Sequence, residues 1–224
     1  MDLSFSELKD LVFNASMGSN LPAGVCEDLS FGVSFLESCS LPGCKELLYS
    51  LNCKRHPPVS PQKNGVSLIF SNSRAIFEGV SAIDLLVSEA CKSVILKNID
   101  SSMLLVGLAS NYYGFSFSFH KNKEICAALF NDQLNWKNDN FRRSIDIEIR
   151  LNNSELNNPI AKRSRMLLDE NVFKQLSNLA SNMLVPESEL SRKTGAGAGN
   201  IDNCLLYTSP SPRDSNLSRM PSSA

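Results

Sequence analysis

The feature that most constrains this chain is a change of hydrophobic period along it. From Leu8 to Leu51 apolar residues recur at helical spacing, and from Val66 to Leu151 they fall into short runs. Two of those runs alternate strictly: Phe115-Ser-Phe-Ser-Phe119 and Ile145-Asp-Ile-Glu-Ile-Arg150. Alternation sends successive side chains to opposite faces, so both runs read as strands with one buried face, the phenylalanines of the first pointing inward. Helical spacing returns at Val172, Phe173, Leu176, Leu179, Ala180 and Met183. Helices at both ends and strands between them predict an α+β fold. Its parts are an N-terminal helical unit, a central, mostly antiparallel sheet with a helix, and a C-terminal amphipathic helix with a glycine-rich end.

Local signals set the boundaries. Ser4-Phe-Ser-Glu7 has capping-box spacing, and the helix it opens carries Leu8, Leu11, Val12 and Ala15 and ends at Gly18–Asn20. Pro22 suits the first turn of a second helix lined by Val25, Cys26, Leu29, Val33 and Leu36. Leu41-Pro-Gly43 breaks it, and Leu47, Leu48 and Leu51 mark a third. The prolines of His56–Pro61 make the next break. Val66–Phe70, Val94–Leu96, Ile125–Phe130 and Ile145–Leu151 read as strands, and Ile83–Val87 fits a strand or a short helix. Asp100 or Ser101 can cap a helix running through Tyr113, with Gly114 placed to end it. Asn152–Pro159 is turn-like.

One domain is expected over residues 1–203, with a helical subregion at 4–53, a mixed region at 65–151, and the last helix and its motif at 169–203. The final stretch, Cys204–Ala224, resembles the translation of a sequencing-library adaptor read in one frame, so it is assigned no fold, and the source is expected to be metagenomic. A formal net charge of −1 argues against binding along a phosphate backbone, which needs concentrated Lys and Arg, so no nucleic acid partner is expected. The opening MDLSFSELKD lacks a basic segment followed by an apolar run, and no run approaches the roughly 18 apolar residues of a membrane span. A cytoplasmic protein without membrane contact is expected. Cys26, Cys39, Cys44, Cys53, Cys91 and Cys126 contain no C-x-x-C pair, and His56 and His120 are not spaced as ligands, so no metal site is expected. No cofactor is indicated.

Two stretches carry a resemblance. The first, Leu3–Gly43, has a short helix, a glycine turn, the segment Gly24-Val-Cys-Glu-Asp28 and a helix ending in Leu-Pro-Gly. The second is Val185–Asn203, VPESELSRKTGAGAGNIDN. Both are similar to the opening and the ending of a bacterial domain-of-unknown-function family numbered 3726, with Cys26 and Asp28 as departures. The resemblance implies a family without an assigned reaction, so it brings no chemistry with it.

The most site-like group is Ser188, Ser191, Arg192, Gly195, Gly197 and Gly199. Arginine offers five donors to a carboxylate or phosphate, and successive glycine amides can form an anion-binding concavity. GAGAG is, however, neither a dinucleotide fingerprint nor a phosphate-binding loop. Glu27 and Asp28 are acidic candidates for a metal or a general base, although carboxylates in a first helical turn are favoured by the helix dipole anyway. Lys162-Arg-Ser-Arg165 reads as a solvated charge run. Tyr113–Phe119 reads as a core strand rather than a base-stacking platform, and no nucleophile-elbow pattern joins Ser, His and Asp. The expectation is binding of, or action on, a small anionic metabolite at the Ser/Arg/Gly segment. The rival is a non-catalytic accessory subunit that docks on a partner protein.

Overall fold

The computed structural model describes residues 1–53, 60–137, 143–151 and 159–183. The chain divides into two units, Met1–Leu184 and Val185–Ala224, the second lying wholly outside the described residues. Most of the His56–Pro61 break and of Asn152–Pro159 falls outside them too.

The first unit is α+β. Its elements are β1 (Asp2–Ser4), α1 (Phe5–Gly18), α2 (Ala23–Ser38), α3 (Gly43–Asn52), β2 (Gln62–Asn64) and β3 (Ser67–Ser71). A π turn (Ala75–Gly79) runs directly into α4 (Val80–Val87), followed by β4 (Ser93–Ile99) and α5 (Ser102–Ala109). Then come β5 (Ser116–Lys121), β6 (Glu124–Phe130), β7 (Gln133–Trp136), β8 (Ile145–Leu151), β9 (Arg165–Leu167) and α6 (Glu170–Ser181).

The capping box at α1 is complete: the Glu7 amide donates to Ser4 Oγ at 3.3 Å and the Ser4 amide to Glu7 Oε2 at 2.8 Å. Leu8, Val12 and Ala15 are fully buried, so the helical stripe lies against the core. Two close approaches seat the helices. α2 crosses α5 where Gly32 meets Gly107, and a Cβ on either would lie 2.7 Å from the other's backbone. α1 meets α6 at Gly18, where a Cβ would lie 1.9 Å from the Leu179 carbonyl oxygen. Larger side chains would hold these helices apart.

The main sheet has the order β2-β3-β4-β8-β5-β6-β7. It is mostly antiparallel, with β3 and β4 parallel. The π turn and α4 make the crossover between those two strands. Val94, Leu96, Phe117, Phe119, Ile147 and Ile149 are fully buried on the face shared with the helices, as the alternation requires. A second sheet pairs β1 with β9, and the Met1 ammonium donates to the Leu168 carbonyl at 2.8 Å.

One open reading is resolved and one needs correction. Ile83–Val87 is helical, because the apolar run belongs to a helical segment that already starts at Ala75. The helix capped by Ser101 ends at Ala109 and does not reach Tyr113. Past that point the amides of Ser110, Asn111 and Tyr112 bond three residues back, to Gly107, Leu108 and Ala109, which tightens and ends the helix. The side chains there are held by other elements: Asn111 Nδ2 donates to the Asp28 carbonyl, and the Tyr112 hydroxyl to Asp84.

Candidate functional site

The parallel pair β3/β4 delivers two chain crossings to one corner. After β3, Asn72 takes a left-handed conformation (φ 53°), and the Asp100 amide, just past β4, donates to the Ser73 carbonyl at 3.2 Å. Arg74 follows in extended conformation and leads into the π turn. Single π turns inside helices are often found at functional sites.

Two buried carboxylates shape this corner, and both are occupied by protein donors. Asp100, with no exposed surface, accepts from the Ala75 amide (2.7 Å), the Ser101 amide (2.8 Å) and Ser50 Oγ (2.5 Å). Glu78, 7% exposed, accepts from the Arg74 amide at 2.6 Å. Neither is within ion-pair distance of the Arg74 guanidinium, which is in no ion pair among the described residues. Its Nη2 donates to the Ser50 carbonyl at 2.8 Å and the group lies 4.9 Å from the centre of the Phe77 ring. Its Nε is buried without a hydrogen-bond partner. Leaving such a donor unsatisfied costs about 1–3 kcal/mol.

Arg74 lies in the wall of a cleft of about 720 Å³ between the end of α1, α3, the π turn and α6. Leu48, Ile76, Leu51 and Leu179 give it an apolar lining, and the amides Asn20, Asn52, Gln175, Asn178 and Asn182 stand at its rim. Among the described residues that line it, none is acidic. A cleft with apolar walls, a few convergent polar groups and one uncompensated cation has the build of a small-molecule site.

The sheet face turned away from the helices is organised differently. Glu148 and Arg150, two apart on β8, form a bidentate pair at 2.9 and 2.8 Å. Ser67 and Ser93 hydroxyls meet at 2.7 Å, and Ser118 Oγ lies 2.9 Å from His120 Nε2. Burial, then the Arg150 charge, hold His120 below its ordinary pKa, against the pull of Glu148 and a hydrogen bond to the Lys123 backbone. Burial pushes Glu148 up, but hydrogen bonds from Arg150 and Ser93 outweigh it and its carboxyl lies below the usual range. Ser118 is only 2% exposed, so the Ser118–His120 pair does not present a nucleophile to an incoming substrate.

The sequence candidates fare unequally. Ser188, Ser191, Arg192, Gly195, Gly197 and Gly199 lie outside the described residues. Glu27 and Asp28 are side by side on α2, but that helix starts at Ala23, so they sit beyond the first turn where the dipole favours acids. Glu27 is exposed; Asp28 is half-buried, and burial followed by the nearby Asp84 and Glu27 charges raises its carboxyl pKa. Among the described residues no cluster of His, Cys, Asp and Glu could hold a metal ion. In the Lys162–Arg165 run, Lys162 pairs with Asp132 at 2.7 Å and Arg165 with Asp2 at 2.8 Å, so these charges are matched within the protein. Arg74 was not among the candidates, because a lone arginine between a strand and a helix carries no motif.

The comparisons fit this picture of a fold without an assigned chemistry. Residues 3–70 match the family described as "Protein of unknown function (DUF3726)". That is the family the N-terminal stretch resembles. No curated protein matches the chain. Among solved structures, a sulfolactate dehydrogenase from Methanocaldococcus jannaschii aligns at 12% identity over 53% of this chain and 40% of its own, with a TM-score of 0.41. A malate dehydrogenase from Pyrococcus horikoshii aligns at 10% identity over 53% and 39%, with a TM-score of 0.41. The malate dehydrogenase of Entamoeba histolytica aligns at 8% identity over 53% and 38%, with a TM-score of 0.40. The chain thus spans about 40% of the length of the structures it matches, and at these scores the likeness bears on neither fold nor activity.

Proposed function

We propose that this protein binds a small anionic metabolite in the Arg74 cleft. The supporting observation is the guanidinium itself: it faces a cleft of about 720 Å³ with no acidic lining residue and no ion-pair partner among the described residues. A carboxylate or phosphate would supply the missing charge and accept the N–H groups that the protein leaves unused. The sequence points to the same ligand class at Arg192, which makes two arginines to separate by experiment.

A thermal-shift screen of the whole chain against carboxylated and phosphorylated metabolites tests this. A concentration-dependent rise in midpoint that Arg74→Met removes and Arg192→Ala leaves in place is the expected result. Loss with Arg192→Ala alone would move the site to the C-terminal segment, and the Arg74 assignment would be dropped.

The reading as an accessory subunit has one observation in its favour. Among the described residues no helix covers the outer face of the main sheet, where Phe130 is 39% and Ile125 38% exposed. Sedimentation of the purified chain checks it, with a monomer at all concentrations and no co-purifying partner counting against it. We further propose a cytoplasmic location. No helix among the described residues is long and apolar enough to cross a membrane, and the six described cysteines are all free thiols, as a reducing compartment would keep them.

A further inference from the structure

Resting on the reading of the Arg74 cleft as an anion site, the hydrogen bonds behind it show how the guanidinium is aimed. An arginine has a long side chain with several rotatable bonds. Using it to bind an anion costs the freedom of that chain unless the fold has already fixed it. Two contacts fix the head of Arg74: Nη2 donates to the Ser50 carbonyl at 2.8 Å, and Cζ lies 4.9 Å from the centre of the Phe77 ring. Its Nε is buried, so a ligand reaches the guanidinium at the Nη nitrogens. The direction of those nitrogens therefore depends on where Ser50 holds its carbonyl.

Ser50 is fully buried in the last turn of α3, and its hydroxyl donates to Asp100 Oδ2 at 2.5 Å. The other oxygen of that carboxylate, Oδ1, accepts the amide of Ala75, the residue after Arg74, at 2.7 Å. One carboxylate thus holds Arg74 from two sides: the main chain beyond it directly, and its head through Ser50. Asp100 Oδ1 also takes the Ser101 amide at 2.8 Å, and Ser101 Oγ donates to Glu46 Oε2 at 2.7 Å. α3 is therefore tied to the β4–α5 corner at both Glu46 and Ser50, which leaves the Ser50 carbonyl little room to move.

We infer that Asp100 is a positioning residue for the anion site: acting through Ser50, it sets the direction of the Arg74 guanidinium without cancelling its charge. A carboxylate bonded to the guanidinium itself would aim it equally well but would occupy the donors that a ligand needs. The relay through Ser50 separates these two effects. Asp100 is in no ion pair among the described residues, and all three of its printed donors are neutral.

The test is the Arg74 Nε–H signal in NMR spectra of the isotope-labelled full chain, assigned by its loss in Arg74→Met. Without added anion this group is expected to be as rigid as the backbone, and inorganic phosphate or acetate should shift its signal on titration. Ser50→Ala removes the hydroxyl and keeps the carbonyl. It should make the Arg74 Nε–H group mobile and weaken both anions about 2- to 10-fold, the effect of having to order one long side chain on binding. Ser50→Cys, which keeps the space filled and offers only a weak S–H donor, is the second variant in case the alanine protein does not fold, and should fall between the two. A Ser50→Ala protein of lower stability whose Arg74 signal and anion affinities are unchanged would overturn the positioning role and leave the anion site standing. An Arg74 Nε–H group already mobile in the unaltered chain would do the same. A rigid Arg74 that neither anion shifts would overturn the anion site, and this inference with it.

Discussion

Arg74 and Arg150 show what a protein does with two arginines in different settings. Arg150 lies on the open sheet face, and its fork closes on Glu148 with two parallel hydrogen bonds. Arg74 is in a more enclosed place, where an uncompensated charge is harder to keep, yet the carboxylates of Asp100 and Glu78 at the same corner are held by backbone amides and a serine. Pairing Arg74 with Asp100 or Glu78 would have been the stabilising choice for an arginine whose only task was structural. Departures of this kind, where local satisfaction is withheld, tend to mark functional positions. Arg150 is satisfied within the protein; Arg74 keeps a buried Nε without a hydrogen-bond partner.

The comparison breaks most visibly at Asp100. Replacing it by Ala removes the acceptor for three buried donors, the amides of Ala75 and Ser101 and the Ser50 hydroxyl. The expected loss is about 4 kcal/mol, in the range where buried networks collapse. Chemical denaturation would show it as a lower midpoint at an unchanged slope. A loss below about 1 kcal/mol would mean that the corner is not built around this carboxylate.

Gly18→Ala comes next. The added Cβ would meet the Leu179 carbonyl at 1.9 Å, so α6 must shift away from α1. Overpacking of this kind costs about 1–3 kcal/mol. Because Leu179 and Asn182 line the cleft, ligand affinity should fall along with stability, whereas a change confined to the sheet face should leave affinity alone. Arg150→Ala is that control. An exposed ion pair contributes about 0.2–1 kcal/mol, so a small drop in midpoint with ligand binding unaltered is expected.

How much of this was legible in the sequence follows from how local each cause is. The capping box, the stripe of α1 and the alternation of β5 and β8 depend on neighbours within a few residues, and they emerge as read. β7 was missed because Gln133-Leu-Asn-Trp136 holds too few apolar residues to show a period; its strand form comes from pairing with β6. β2, all of it exposed, is strand only through its register with β3. The early end of α5 depends on Asp28 and Asp84, which are distant in sequence and hold Asn111 and Tyr112. Arg74 was illegible for the same reason. What distinguishes it is the engagement of Asp100 and Glu78 elsewhere, and only the fold shows that.

The finest test of the comparison is His120, because Arg150 acts on it through charge alone. Burial and the Arg150 charge place its pKa below the ordinary 6.5. A histidine whose folded pKa lies below its unfolded one contributes stability above the unfolded value, and that contribution is lost as pH falls through the folded pKa. Stability should therefore decline as pH drops below about 6.5, before the carboxylates titrate. Arg150→Ala removes a repelling charge and frees Glu148 to attract the imidazolium, and both changes raise the His120 pKa. An NMR titration of the imidazole in a His56→Gln background, which leaves a single histidine signal, reads this directly. The midpoint should lie below 6.5 in that background and move upward when Arg150 is removed. A midpoint that stays put would show that the Arg150 charge is fully neutralised by Glu148, which would widen the contrast with Arg74.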